Sequence, residues 1–245
     1  MVALRSTRLA YVIVGTVALV VGYGVMFLGS GAHDVLMGED GVVEYVGAFG
    51  LFAAAALFFA AFMRARGGSY GTIKKLALLA LAALFFFGGG EEISWGQRIL
   101  GIETPEGLSE ANVQDELNVH NLAVFDGVFT PERLFQLFWI TFGVLIPFAC
   151  AMSARIQAWL SRWIPILPLW LAWLFVASQL IAEIVSKILT DNPQLYHGAA
   201  SAPSTRFELT ETVVIVLFAV GGLAVFREAS IQRAEAGSAP VGPAA

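Results

Sequence analysis

Gly88-Gly89-Gly90-Glu91-Glu92-Ile93-Ser94-Trp95-Gly96-Gln97-Arg98 is the stretch whose reading decides the fold. It follows an apolar run, Leu76 to Phe87, of only twelve residues. A helix crossing ~30 Å of hydrocarbon needs about 20 residues. Either the run stops short of crossing, or Glu91 and Glu92 sit inside the outer part of a bilayer. The second reading organises the rest of the chain.

Composition supports a membrane setting. Of 245 residues, 58% are hydrophobic and 13% are charged, where a soluble domain carries roughly 25% charged residues. Mean hydropathy is +0.75. The class is therefore all-α, a polytopic bundle in contact with lipid. Net charge is −5, and basic patches suited to nucleic acid are absent. The single cysteine, Cys150, lies in an apolar run and excludes an intrachain disulfide or a cysteine-based zinc site.

Six spans are predicted, over residues 9–28, 42–63, 76–95, 134–153, 166–189 and 208–226. A signal peptide is the rival reading of the first, but its apolar region is longer than the roughly 7–15 residues such peptides use. Glu44 falls in the first turn of the second span. Residues 97–133 form the longest polar segment, and Thr104-Pro105-Glu106 and Thr130-Pro131-Glu132 both read as capped helix starts. Pro147 predicts a kink in span four. Span six reaches crossing length only by recruiting Glu208 and Glu211. Residues 1–227 make the membrane domain, and 228–245, rich in Ala, Gly, Pro and Ser, read as a disordered tail.

Charge sets the expected orientation. The termini and the loops at 64–75 and 154–164 hold ten of the fourteen Lys and Arg. The opposite face holds Arg98, Arg133, Lys187 and Arg206, and seventeen of the nineteen Asp and Glu. The positive-inside rule then puts both termini in the cytoplasm.

Spans two, three, five and six bring carboxylates to one outer level: Glu44, Glu91 and Glu92, Glu183, and Glu208 with Glu211. Ionised carboxylates in hydrocarbon cost ~2.5–3.5 kcal/mol even on the lenient insertion scale. A shared polar basin explains four spans making that choice; a simple marking of the membrane surface is the plainer alternative. Glu91, Ser94 and Arg98 fall on one helical stripe if span three continues to Trp95. The three glycines before them permit close packing or a break in the helix. Glu183 and Lys187 are spaced for an i,i+4 ion pair, and Gln179 extends that stripe inward.

The segment Asn112-Val113-Gln114-Asp115-Glu116-Leu117-Asn118-Val119-His120-Asn121 is the second dense motif. If helical, Asn112, Glu116 and His120 share one face, and Gln114, Asn118 and Asn121 another. A Glu and a His one turn apart can reach one metal ion, which makes a divalent metal a candidate cofactor. With Glu211 they form the expected ligand set, while Glu91, Glu92 and Glu183 are the expected catalytic carboxylates. Gln97 and Lys187 complete the polar surroundings. Local capping by solvated side chains is the alternative. His33 and His197 are single loop histidines, expected to take no ligand role.

The residues Glu91-Glu92-Ile93-Ser94-Trp95-Gly96-Gln97-Arg98, then Gly101 to Glu106, then Asn112-x-Gln114-x-Glu116-x-Asn118-x-His120-Asn121 resemble the signature of an uncharacterised family of bacterial multi-span inner-membrane proteins. The acidic start of span two, Glu39-Asp40-Gly41 to Glu44, is similar as well. The resemblance implies a bacterial inner-membrane bundle and carries no activity with it. Ceramidase-like membrane hydrolases use a Ser, an Asp and three His around zinc. This chain has three His but lacks their seven-span layout and their paired C-terminal histidines.

Three functions follow as expectations. One is a metal- or carboxylate-dependent membrane enzyme acting on a lipid or envelope substrate. Another is an assembly subunit whose outer acidic loop docks a second membrane protein. The third is a proton- or cation-coupled carrier, since three spans on each side of the long loop give two halves of opposite orientation.

Overall fold

A computed structural model describes residues 2–28, 35–37, 41–112, 114–125, 130–192 and 202–238. Glu39, Asp40, His33 and His197 lie outside them. The helices are α1 (Val2–Gly24), α2 (Val42–Ala65), α3 (Thr72–Glu92), α4 (Gln97–Leu100), α5 (Glu106–Ser109), α6 (Pro131–Met152), α7 (Ala154–Leu160), α8 (Leu169–Asp191) and α9 (Ala202–Ser238). Six segments are long and apolar enough to cross a membrane, and they fall in or around α1, α2, α3, α6, α8 and α9. Their outward faces suit lipid: Val20, Val21, Phe49, Trp173, Leu180 and Ile184 are all more than half exposed.

The bundle is built on α9, which packs along α2 and also against α1 and α8, while α2 packs on α3. Lipid tails are as apolar as the helices, so association rests on close packing. Glycines supply it on the α2–α9 seam. A Cβ on Gly50 would stand 2.7 Å from Ile215, and one on Gly222 would stand 3.0 Å from Leu57. Deeper in, Phe218 on α9 is fully buried among the rings of Phe85, Phe135, Phe138, Phe142 and Phe175.

Span three differs from expectation at both ends. It starts at Thr72, so Lys74 and Lys75 belong to the helix. Lys74 is buried, with its ammonium 4.1 Å from the centre of the Tyr70 ring and 4.0 Å from Glu228. The pair with Glu228 and the ring face compensate the buried charge. The helix has 21 residues, about 30 Å at ~1.5 Å per residue, and it stops at Glu92 rather than near Trp95. Ser94, Trp95 and Gly96 then take positive φ of 45°, 54° and 78°. Left-handed backbone costs roughly 1–2 kcal/mol per non-glycine residue, so contacts described below must hold this turn. The stripe of Glu91, Ser94 and Arg98 on one helix face does not exist.

Two further expectations are corrected, at Thr104 and at the end of the last span. Pro105, not Thr104, is the residue before α5, because the Thr104 hydroxyl is engaged elsewhere. Thr130 does cap α6, accepting from the Arg133 amide at 3.3 Å. Pro147 cannot donate to the carbonyl of Gly143, and a π-helical turn over Trp139–Leu145 takes up the mismatch. The chain after Arg227 continues as helix to Ser238 instead of ending at 226. That extension packs: Ala229 is buried, Glu228 accepts from Tyr70 Oη at 3.3 Å, and Arg233 lies over Gly67. Residues 239–245 of the expected tail lie outside the described residues.

Candidate functional site

α2, α6 and α9 begin, and α1, α3 and α8 finish, at the same end of the bundle. The segment after α3 folds over that end as a lid, and a cavity of about 620 Å³ lies beneath it.

The lid is held by two carboxylates. Glu91 is 5% exposed. Its Oε1 accepts from the Trp95 indole N–H at 2.7 Å, and its Oε2 from the backbone amides of Val119 at 2.6 Å and His120 at 3.0 Å. His120 Nδ1 stands 3.5 Å from the same oxygen. Glu116 is 8% exposed. Its Oε1 accepts from Arg98 Nη1 at 2.8 Å. Its Oε2 takes the Ser94 hydroxyl at 2.9 Å, Asn121 Nδ2 at 3.3 Å and Asn118 Nδ2. Arg98 Nη2 reaches across to Glu44 Oε1 at 2.6 Å, tying the lid to the first turn of α2. These charge-assisted bonds stabilise the left-handed turn at Ser94 and Trp95.

Asn112 and residues 114–122 form turns and bends, not helix, with an isolated bridge between Asn112 and Leu122 and a positive φ of 58° at Asp115. The helical faces expected there are therefore absent. Asn112 organises the segment instead. Its Oδ1 accepts from the amides of Gln114 and Glu116, and its Nδ2 donates to Asn118. Such Asx bonding is what makes Asn favour turns over helix. Gln97 Oε1 accepts from the Leu117 amide at 2.6 Å, and Gln97 Nε2 donates to Thr104, whose hydroxyl donates to the Asp115 carbonyl. Gln114 accepts from Asn121.

The cavity beneath is acidic. Glu44, Glu92, Glu116, Glu132, Glu208 and Glu211 line it, with Arg98 and His120. Glu44 and Glu116 share Arg98. Glu92, at the end of α3, and Glu211, on α9, make no hydrogen bond or ion pair among the described residues and face the cavity. Glu92 lies in the field of Glu211, Glu44 and Glu208, all of its own sign.

The residues expected to form one site thus separate into groups. Ser94, Gln97, Asn112, Gln114, Asn118 and Asn121 build the lid with Glu91 and Glu116. Glu92 and Glu211 face the cavity. Glu183 stands apart: it accepts from Arg206 at 2.8 Å and from Gln179 at 3.1 Å, and is half exposed. Lys187 pairs with Asp191 at 2.9 Å and not with Glu183. Among the described residues, no three His, Cys, Asp or Glu converge closely enough to hold a metal ion. Both Glu116 oxygens already accept hydrogen bonds within the lid.

Sequence reasoning missed Glu132 as a cavity residue; it was legible only as a favourable first-turn charge of α6. Glu208, read among the carboxylates of one outer level, does line the cavity. The position of Glu132 directly after Thr130-Pro131, at the start of a span, was the available signal.

No family model, no curated protein and no solved structure matches this chain.

Proposed function

We propose that this chain is a bacterial inner-membrane enzyme that works through the acidic chamber. Glu92 and Glu211 are its working carboxylates, and they hold a positively charged group of a lipid or envelope substrate and exchange a proton with it. The observation that carries this reading is the contrast between Glu91 and Glu116, whose four oxygens all accept hydrogen bonds, and Glu92 and Glu211, which face the cavity without a partner among the described residues. Unpaired like charges inside a low-dielectric wall attract cations strongly. The aromatic packing around Phe218, one turn beyond the cavity residue Ile215, closes the chamber from below. That floor favours a site over a conduit. In this reading the chamber faces outward and both termini are cytoplasmic, as the distribution of Lys and Arg favours.

Methylammonium is a compact probe of the chamber's field. Purified protein in detergent should bind it, and Glu92→Gln with Glu211→Gln should weaken binding by roughly tenfold or more. Glu183→Gln should leave it unchanged. Equal binding by wild type and the double variant contradicts the reading.

A further inference from the structure

A second cavity, of about 600 Å³, lies beside the acidic chamber between the start of α6, α8 and the start of α9. The two share Glu132, Glu208 and Glu211 as a common wall. Its character is different. Phe135, Trp139 and Phe207 supply apolar surface, and Arg133 and Arg206, the latter paired with Glu183 at 2.8 Å, supply cationic groups. Phe207 is 60% exposed on the outside of the bundle, in a segment apolar enough to cross a membrane. Phe207 is exposed and Trp139 is buried, so rings line this cavity both at the bundle surface and inside it.

We infer that the two cavities together bind a phospholipid with a primary-ammonium headgroup, its ammonium between Glu92 and Glu211, its phosphate beside Arg133 and Arg206, and its acyl chain along Phe135, Trp139 and Phe207. This rests on the reading of the chamber as a cation site and names the ligand class. The chemistry matches at each level. A carboxylate pair suits an ammonium with three donors. A guanidinium suits phosphate. Aromatic rings suit a hydrocarbon chain beside a polar group. An anionic phosphoglycerol lipid has no cation for the glutamates and brings its phosphate with hydroxyls instead.

The test uses full-length protein purified in mild detergent and incubated with equal mixtures of three lipids with identical chains: phosphatidylethanolamine, its N-acetylated form, which keeps the phosphate and loses the ammonium, and phosphatidylglycerol. Retained lipid is counted by native mass spectrometry. Wild type should retain phosphatidylethanolamine by roughly fivefold or more over each of the others. The combined Glu92→Gln and Glu211→Gln variant, checked for helix content, should lose the preference. Equal retention of the amine and N-acetyl lipids by wild type overturns the inference without need of any variant. A preference that survives in the double variant overturns it too. Methylammonium binding on the same samples separates the two claims: with binding intact and no amine preference, only the lipid assignment falls; with both absent, the chamber reading falls as well.

Discussion

Glu91 accepts three hydrogen bonds, from Trp95, Val119 and His120, while Glu92, the next residue, faces the acidic cavity and accepts none among the described residues. The last turn of α3 sends one carboxylate into the lid and the other into the chamber. Substituting each should therefore have opposite signs. Glu91→Gln sets an amide N–H against donors and should cost ~1–3 kcal/mol. Glu92→Gln removes like-charge repulsion with Glu211 and should leave the thermal midpoint unchanged or raised. Thermal unfolding in detergent, with hydrogen exchange across residues 114–122, measures both.

Arg98 is the clamp between lid and bundle, 2.6 Å from Glu44 and 2.8 Å from Glu116. Arg98→Ala leaves Glu116 without its cation. A fully buried pair broken this way costs ~3–5 kcal/mol, and the partial exposure of Arg98 brings the expectation to ~1–3 kcal/mol. Arg98→Lys should fall between, because one ammonium cannot reproduce the two-armed contact. A double-mutant cycle with Glu44→Gln on unfolding midpoints checks the coupling.

Gly90 is a packing residue. A Cβ there would lie 2.6 Å from the Trp95 ring, which itself packs edge-on to Phe86 and Phe87. Gly90→Ala should displace the indole and break its bond to Glu91, outweighing the gain of ~1 kcal/mol in helix propensity. The readout is tryptophan fluorescence: the Trp95 component, isolated by comparison with Trp95→Phe, should shift to the red and the midpoint should fall.

Part of this was readable in the residues alone. Apolar runs between polar loops located the six helices, and the shortness of Leu76–Phe87 drew attention to Glu91 and Glu92. The arithmetic then extended that span at the wrong end, because Lys74 is neutralised by Glu228 and shielded by Tyr70, contacts 154 and four residues away. The division of labour between Glu91 and Glu92 was not legible. It depends on left-handed backbone at Ser94 and Trp95, two residue types with no preference for it, held by a local bond from Trp95 to Glu91 and a distant one from Ser94 to Glu116. Asn112 looked like a helix-face residue and is a turn residue, since side-chain bonding to Gln114 and Glu116 amides competes with helix.

Orientation has its own test. A reporter active only outside the cytoplasm, fused after Ala245, should be silent, and one inserted at Gly107, exposed in the lid, should be active. The reverse pattern would place the chamber on the cytoplasmic side.

The central claim is that Glu92 and Glu211 are the open carboxylates of this end of the bundle and Glu91 and Glu116 the closed ones. A hydrophobic carbodiimide adds covalently to a carboxyl group that is free to react, and peptide mass spectrometry locates the adduct. Adducts are expected on Glu92 and Glu211, with little on Glu91 or Glu116, and an added ammonium-headed phospholipid should protect the first pair. Adducts on Glu91 and Glu116 with Glu92 and Glu211 unmodified would contradict it.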